Sequence, residues 1–211
     1  MLRRGARALF ALTGSRFTTD ADTPIPDRDV VFVVNHTSYI DGAAVSAAIP
    51  GPLTFVVTER FARQFIAGTF LRRLGTVFVG EAGSGLHGAE DAALRAVRAG
   101  ERLVVFPEGR LRRMPGLLSF YPGPFLVAAE ASVPVVPVTL SGTRSVLRHS
   151  GQWFPRRAPI HVHVGRPIHA HGNDFDAALA LGQAARDAIL AAGREPDLGR
   201  EEIEFGLLPP G

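Results

Sequence analysis

The stretch VVFVVNHTSYID, residues 30–41, decides which fold to expect of this chain. It begins with five β-branched or aromatic residues, a continuous apolar run that predicts a strand buried on both faces. The polar residues from Asn35 onward end that strand, and Asp41 opens a short Ala-rich stretch that predicts a helix. His36 is therefore expected in a loop that joins a buried strand to a helix.

The same change from apolar runs to amphipathic stretches recurs along the chain. Further strands are predicted at 53–57, 76–79, 103–106, 135–140 and 160–164, and further helices at 59–74, 87–99, 125–131 and 175–192. Alternation of strands and helices is typical of βα units. We therefore predict a single α/β domain over residues 25–195, with a mostly parallel mixed sheet flanked by helices.

One predicted strand has an unusual sequence. The segment VPVVPV, residues 133–138, contains Pro134 and Pro137. Proline has no N–H to donate to a neighbouring strand, so it is improbable in the middle of a sheet. We expect this strand to lie away from the centre of the sheet.

The two ends of the chain differ from the domain between them. Leucines and phenylalanines alternate with arginines over residues 2–17, which predicts an amphipathic N-terminal helix. We expect residues 1–24 to form a membrane-surface segment, although a helix packed on the domain explains the pattern equally well. Residues 196–211, with three glutamates and a Pro-Pro-Gly end, predict a loosely held tail.

The composition narrows the possible functions. The 211 residues include no cysteine, which excludes disulfides and a cysteine nucleophile. All 23 basic side chains are arginine, whose planar guanidinium suits phosphate and carboxylate ligands. No apolar run approaches the ~18 residues that span a bilayer, and no secretory signal is found at the N-terminus. We expect a protein at the cytoplasmic face of the membrane, bound peripherally or monotopically.

His36 and Asp41, five residues apart, form the first candidate site. A tight loop can fold the aspartate back onto one ring nitrogen of the histidine, which leaves the other nitrogen basic, as a general base requires. A carboxylate near a helix N-terminus is also favoured by the helix dipole. A turn histidine beside an aspartate that caps a helix is the alternative explanation.

A second candidate site follows another predicted strand. Ligands of open α/β sheets bind outside the carboxyl ends of the strands, where acidic, glycine and arginine residues occur here. These arginines could hold a phosphate, although a solvated turn explains the same pattern. The candidate binding residues are Phe106, Pro107, Glu108, Gly109, Arg110, Arg112 and Arg113, with Arg144 after a later strand.

Taken in order, these segments resemble the PlsC-like glycerolipid acyltransferases. The family's N-H-x4-D block is matched at 35–41 and its F-P-E-G block at 106–109. Its G-x-x-F-[IV] block is matched at Gly75, Phe78 and Val79, and its proline-containing strand at 133–138. Gly142-Thr143-Arg144 and Gly165-Arg166-Pro167-Ile168 also resemble the downstream sequence of the family.

The resemblance implies an O-acyltransferase of phospholipid biosynthesis with His36 as base and Asp41 as its partner. The acyl group would come from acyl-CoA or acyl carrier protein, and the acceptor would be a lysophospholipid, first of all 1-acyl-sn-glycerol-3-phosphate. The second and third blocks would bind the acceptor phosphate. No cofactor beyond the co-substrate is expected, and the implied partners are these substrates and an anionic membrane surface, with no nucleic acid.

Three departures from the family pattern concern the acceptor. The basic residue of the second block is Glu81 here, Arg110 replaces the Thr or Ser after F-P-E-G, and Thr58 replaces a frequent lysine. These changes make a lyso-aminolipid acceptor plausible. A CoA-independent transacylase and a non-catalytic lipid-binding relative also stay open. A serine esterase has less support, because neither Ser84 nor Ser141 has the G-x-S-x-G frame.

The remaining histidines raise the question of a metal. His161 and His163 lie two residues apart on a predicted strand, and His169 and His171 follow. Such spacing can bind zinc, but no cysteine or obvious third ligand accompanies it. We therefore predict no metal site.

Overall fold

The computed structural model describes residues 2–58, 77–79, 86–112, 114–147 and 155–199. The helix predicted at 59–74, the positions Gly75, Glu81 and Ser84, and the candidate binding residue Arg113 lie outside these ranges.

The described helices and strands follow the predicted alternation. The helices are α1 Leu2–Leu12, α2 Asp41–Ala48, α3 Leu86–Arg98, α4 Gly123–Ala131, α5 Thr143–Val146 and α6 Phe175–Ala192. The strands are β1 Phe17–Ala21, β2 Val30–Val34, β3 Thr54–Thr58, β4 Val77–Val79, β5 Arg102–Val105, β6 Val135–Ser141 and β7 Ile160–Val164.

The seven described strands form one sheet in the order β1-β7-β6-β2-β5-β3-β4. All neighbouring pairs are parallel except β6 and β7, which are antiparallel. The prediction of a mostly parallel mixed sheet flanked by helices is confirmed. Because β2 lies between β5 and β6, its carboxyl end, where His36 follows, opens at the middle of the sheet.

The core has two apolar layers, one on each face of the sheet. Strand β2 contributes to both because its side chains alternate: Phe32 packs with α1 and α2, whereas Val31 and Val33 pack with α3, α4 and α6. All five residues of this strand are buried. A strand covered on both faces explains the continuous apolar run in the sequence.

The expectation about the proline-containing strand is wrong. Strand β6 lies inside the sheet, between β7 and β2, although it includes Pro137. Pairing of β6 with β7 begins only at Val138, and the carbonyl of Pro137 accepts a hydrogen bond from Gly165 N at 2.8 Å, just beyond the end of β7. Pro137 thus lies just outside the paired part of β6 and β7, where its missing N–H leaves no hydrogen bond to β7 unmade.

The N-terminal segment, for which a boundary at residue 24 was predicted, contacts the sheet. Strand β1 pairs with β7 in the sheet, Phe10 of α1 is buried, and its ring stacks on Phe17 at 5.2 Å. The Nε atoms of Arg3 and Arg7 both donate to the carbonyl of Ala47. Residues 2–21 are therefore packed on the domain. An edge strand as polar as FTTDA has no apolar pattern by which to predict it.

No helix in the described ranges combines the length and the apolar character that crossing a membrane requires.

Candidate active site

The loop after β2 is fixed to the neighbouring strand at its first residue. The side-chain amide of Asn35 donates to the carbonyl of Leu140 at 3.0 Å, and its oxygen accepts from Leu140 N at 2.7 Å. Asn35 is buried, so this pair of bonds satisfies both ends of its amide. The position of the next residue, His36, is thereby tied to β6.

His36 and Asp41 meet as the sequence predicts. The Nδ1 atom of His36 lies 3.0 Å from Oδ2 of Asp41, and the same oxygen accepts from Thr37 N at 2.6 Å and Ser38 N at 2.8 Å. Asp41 is fully buried, whereas the His36 side chain is 19% exposed. A carboxylate at Nδ1 favours the tautomer with the proton on that nitrogen, which leaves Nε2 as the base.

Two hydroxyl groups connect this loop to the segment after β6. Thr37 Oγ1 lies 2.7 Å from Thr143 Oγ1 and also donates to Asp41 Oδ1 at 3.4 Å. Ser38 Oγ donates to the carbonyl of Leu147 at 2.7 Å. Both threonines are buried. The role of Thr143 as a support of the pair was not predicted, since a lone threonine carries no pattern that identifies its partner.

Glu108 holds the main chain of His36. One oxygen of its carboxylate accepts from His36 N at 2.7 Å, and the other accepts from Leu118 N at 3.0 Å. Burial raises the pKa of Glu108, and these two backbone hydrogen bonds oppose that rise. Glu108 was predicted to bind substrate; in the structure its two oxygens hold the main chain of two loops.

The other residues of the F-P-E-G segment contact His36 and Tyr121. The ring of Phe106 stacks on the imidazole of His36, with centroids 4.4 Å apart. Pro107 accepts a hydrogen bond from Tyr121 N at 2.9 Å. Gly109 has a positive φ of 65°, and a Cβ there would lie 2.6 Å from the Tyr121 ring, so only glycine fits.

The predicted binding arginines divide into two groups. Arg110 and Arg112 are exposed in the loop after β5. Arg144 instead binds that loop: its Nη1 donates to the carbonyls of Arg112 at 2.8 Å and Met114 at 3.2 Å, and its Nη2 lies 3.3 Å from Glu195. Arg144 therefore supports that loop, and its predicted contact with substrate remains a prediction.

The start of the predicted tail is packed against the segment after β5, residues 106–122, which we call the basic loop. Glu195 accepts a hydrogen bond from Gly116 N, and Leu117 exchanges backbone hydrogen bonds with Pro196 and Leu198. Arg186 of α6 is buried; it donates to the carbonyls of Leu117 and Leu118 and pairs with Asp197. Residues 196–199 of the predicted loose tail therefore pack on the domain, and the rest of the tail lies outside the described residues. These partners are distant in sequence, so no local motif indicates them.

A second histidine–aspartate group lies on strands β1 and β7. Asp20 lies 2.9 Å from His163 Nδ1 and 3.0 Å from His161 Nε2, and its side chain is 57% exposed. The hydrogen bond from His163 lowers the pKa of Asp20. Among the residues that the structure describes, no group of three or more potential ligands is arranged to hold a metal.

Comparison with known proteins points to one family. A family model described as Acyltransferase matches residues 16–141. The chain is 24% identical over 172 residues to the 1-acyl-sn-glycerol-3-phosphate acyltransferase alpha of Mus musculus, covering 81% of this chain and 60% of that protein. It is 26% identical over 180 residues to a lyso-ornithine lipid O-acyltransferase of Pseudomonas aeruginosa, covering 78% and 69%.

A solved structure agrees with the fold. The 1-acyl-sn-glycerophosphate (LPA) acyltransferase PlsC of Thermotoga maritima superposes with a TM-score of 0.74 at 20% identity, covering 90% of this chain and 78% of that one. The chain spans 60% of the mouse relative and 36% of one from Caenorhabditis elegans. Since the family model matches more than half of the residues, the chain belongs to the acyltransferase family, among its PlsC-like glycerolipid members.

Proposed function

We propose that this protein transfers a fatty acyl group from acyl-CoA or acyl carrier protein to the free hydroxyl of a lysophospholipid. One observation carries the proposal: a partly exposed His36 is oriented through Nδ1 by a buried Asp41, 3.0 Å away, at the carboxyl edge of the sheet. A partly exposed imidazole that a carboxylate orients through Nδ1, and whose Nε2 the carboxylate does not engage, suits proton transfer from a hydroxyl group. The family to which the chain belongs supports the choice of acyl transfer.

The proposed reaction is direct transfer between two bound substrates. Nε2 of His36 takes the proton of the acceptor hydroxyl while the oxygen attacks the thioester carbonyl. The new C–O ester bond forms, the C–S bond breaks, and the proton returns from His36 to the leaving thiolate. The described site has no serine placed against His36, so an acyl-enzyme is not part of the proposal.

The reaction develops two charges that need electrostatic support, the imidazolium and the oxyanion. The buried carboxylate of Asp41 stabilises the imidazolium that develops as the proton is transferred. The oxyanion on the former thioester carbonyl needs a donor, but Gly109 N already donates to the carbonyl of Phe106 at 3.1 Å. We assign oxyanion and phosphate binding to the guanidinium groups of the adjacent basic loop, Arg110 and Arg112.

The acceptor we test first is 1-acyl-sn-glycerol-3-phosphate, the substrate printed in the name of the mouse relative. A lyso-aminolipid is the second candidate. It is favoured by Arg110 in place of the usual Thr or Ser, by Glu81 in place of a basic residue, and by the similarity to the lyso-ornithine lipid enzyme. With these substrates, we propose that the protein acts at the cytoplasmic face of a membrane.

The test is thiol release by the purified chain from an acyl-CoA. Release that depends on added lysophosphatidic acid supports the transferase, and greater release with lyso-ornithine lipid selects the second acceptor. Release without any acceptor identifies a thioesterase instead. No release with either lysolipid, whether CoA or acyl carrier protein brings the acyl group, contradicts the proposal and favours a lipid-binding relative.

A further inference from the structure

The short helix α5, Thr143–Val146, follows β6 and contacts the loop that carries His36. Gly142, directly before the helix, has a positive φ of 88°. A Cβ at this position would collide with the carbonyl oxygen of Pro159, so only glycine fits there. The main chain therefore fixes the place at which Thr143, the first residue of α5, is presented to its neighbours.

Two hydrogen bonds join α5 to residues 35–41, which we call the catalytic loop. At the start of the helix, Thr143 Oγ1 lies 2.7 Å from Thr37 Oγ1. Just after its end, the carbonyl of Leu147 accepts from Ser38 Oγ, also at 2.7 Å. Thr37 and Ser38 in turn donate their backbone N–H groups to Oδ2 of Asp41. The two residues that α5 holds are thus the two that hold the carboxylate.

The available protons decide the direction of the bond between the two threonines. A threonine hydroxyl has one proton to donate, and an ionised carboxylate only accepts. Thr37 gives its proton to Oδ1 of Asp41 at 3.4 Å, so Thr143 must be the donor to Thr37. The chain of donors therefore runs from Thr143 through Thr37 to one carboxylate oxygen, while His36 binds the other.

The two oxygens of Asp41 are held by different donors. Oδ2 accepts from the ring of His36 and from two backbone N–H groups, whereas Oδ1 accepts from the hydroxyl of Thr37. A carboxylate held at both oxygens keeps its plane, so Oδ2 stays aligned with Nδ1 of His36. Hydrogen bonds in a chain polarise one another, so a hydroxyl that accepts one bond donates the next more strongly. Loss of the Thr143 hydroxyl should therefore weaken the hold of Thr37 on Asp41.

We propose that Thr143 is a positioning residue for the reaction proposed above. It holds Asp41 through Thr37, and that carboxylate orients His36 in turn. Thr143 is fully buried, so it acts on the reaction only through its neighbours. The inference rests on the proposed function, because the position of His36 has a kinetic consequence where His36 is the base. The effect should fall on kcat, since the arginines assigned to phosphate binding lie in the basic loop.

A packing role is the alternative, and two substitutions separate it from positioning. Thr143→Val keeps the shape of the side chain and removes the hydroxyl, whereas Thr143→Ser keeps the hydroxyl and removes the methyl group. We expect Thr143→Val to lower kcat by ~10-fold or more with the KM for the acceptor within ~2-fold, because a misplaced base loses transition-state stabilisation. Thr143→Ser should keep kcat within ~3-fold of wild type.

Acceptor-dependent thiol release measures both constants. A larger loss of kcat in Thr143→Ser than in Thr143→Val overturns the proposal in favour of packing. A rise in KM at unchanged kcat overturns it as well, because it would mean that Thr143 supports substrate binding instead.

Two other hydroxyl groups provide matched controls. Ser145 is exposed on the same helix, and Thr139 is a buried threonine of β6 whose methyl group lies beside Gly193, just after α6. Ser145→Ala and Thr139→Val should each leave kcat within ~2-fold, because neither hydroxyl belongs to the chain of donors to Asp41. With all variants shown to be folded by circular dichroism, equal losses in Thr139→Val and Thr143→Val overturn the proposal.

The tautomer of His36 gives a measurement that needs no substrate. Nitrogen-15 spectra of the neutral imidazole distinguish a proton on Nδ1 from one on Nε2, and His36→Ala identifies the signals of this ring. We expect the proton on Nδ1 in wild type, because the carboxylate accepts there. The fraction with the proton on Nε2 should rise ~3-fold or more in Thr143→Val and stay unchanged in Thr143→Ser.

The two measurements separate a failure of this inference from a failure of the proposed function. Absence of acceptor-dependent thiol release in wild type contradicts the proposed function, whereas the ring spectra still report whether Thr143 positions His36. Spectra of Thr143→Val identical to those of wild type overturn the positioning role, whatever the activity. The expected result is a shifted tautomer together with a lower kcat in Thr143→Val, and neither change in Thr143→Ser.

Discussion

Two of the histidine–aspartate pairs among the described residues have nearly the same separation and different surroundings. His36 and Asp41 are 3.0 Å apart, and His163 and Asp20 are 2.9 Å apart. Asp41 is fully buried and accepts two backbone N–H groups, whereas the Asp20 side chain is 57% exposed. The first pair follows the central strand, and the second lies along strands β1 and β7 near one side of the sheet.

Distance alone therefore does not distinguish the two pairs, whereas burial and backbone donors do. A carboxylate held by buried backbone donors cannot turn away, so it fixes both the orientation and the tautomer of its histidine. An exposed carboxylate that two imidazoles share is screened by water and gives a weak surface interaction. The described neighbours of the first pair, Asn35, Thr143 and Glu108, all serve to hold the loop in place.

The largest expected effect separates the two histidines. His36→Ala should lower kcat by at least ~10²–10⁴-fold, because the general base is lost. His163→Ala is the matched control and should leave kcat within ~3-fold, since its partner Asp20 is 57% exposed and the pair lies on β1 and β7, apart from the loop that carries His36. Acceptor-dependent thiol release measures both. Residual activity of His36→Ala close to wild type would contradict the assignment, as would a comparable loss in His163→Ala.

Substitution of Asp41 should likewise have a larger effect than substitution of Asp20, on both kcat and stability. Asp41→Asn should lower kcat by ~10²-fold or more, because the amide cannot hold the required tautomer as the carboxylate does. It should also cost about 1–3 kcal/mol in the free energy of unfolding, since buried backbone donors lose a charged acceptor. Asp20→Asn should cost less than ~1 kcal/mol and leave kcat unchanged. Urea unfolding measures the change in stability, and initial rates measure the change in kcat. Equal effects of Asp41→Asn and Asp20→Asn would show that the two aspartates do not differ in role.

Glu108 gives a pH-dependent test of the support around the first pair. Glu108→Gln should cost about 1–3 kcal/mol, because its amide group would face a backbone donor. Burial raises the pKa of Glu108 above its ordinary value of 4.5, so between the two values the unfolded chain binds fewer protons than the folded protein. The contribution of Glu108 to stability is therefore greatest below pH 4.5 and falls as the pH rises through its folded pKa.

Unfolding curves measured from acid to neutral pH test whether the contribution of Glu108 to stability falls as the pH rises. The difference in stability between wild type and Glu108→Gln should narrow as the pH rises. Glu130→Gln is the control, because Glu130 is an exposed glutamate paired with Arg98 at 3.2 Å. A difference that widens with pH for Glu108 would show that the carboxylate is stabilised in its charged form.

The smallest expected effect concerns the basic loop, which the C-terminal segment holds. Glu195→Gln weakens the contacts with Arg144 and Gly116, so Arg110 and Arg112 should be less well positioned. We expect the KM for the acceptor to rise ~2–10-fold with kcat within ~2-fold, a pattern typical of lost ground-state binding. Asp187→Asn, on the exposed side of α6, should leave both constants unchanged. A fall in kcat without a change in KM would place Glu195 in support of the chemistry instead.

The central part of the fold and the contact between His36 and Asp41 could be predicted from the sequence because both depend on local signals. The run Val30–Val34 is a strand with the predicted bounds, and Asp41 opens the next helix as expected. His36 and Asp41 are five residues apart, so one loop determines their meeting. The order of the remaining blocks along the chain led to the correct family.

The features that the sequence did not predict depend on contacts between residues that are distant in the chain. Strand β1 is polar and lies at the edge of the sheet, and Pro137 is tolerated because β7 ends beside it. The contact of Arg144 with Glu195, 51 positions later, has no local pattern, so the arginine was expected to face the substrate. Glu108 was likewise predicted to bind substrate because its two backbone partners, 72 and 10 positions away, leave no trace in the sequence.

The central claim, that Asp41 acts on the reaction through His36, is tested most directly by a double-mutant cycle on kcat. Wild type, His36→Ala, Asp41→Asn and the double variant are compared, with unfolding curves to show that each is folded. We expect strong non-additivity, so that Asp41→Asn lowers kcat by less than ~3-fold once His36 is absent. If the two losses multiply in the double variant, Asp41 acts independently of His36 and the account is contradicted.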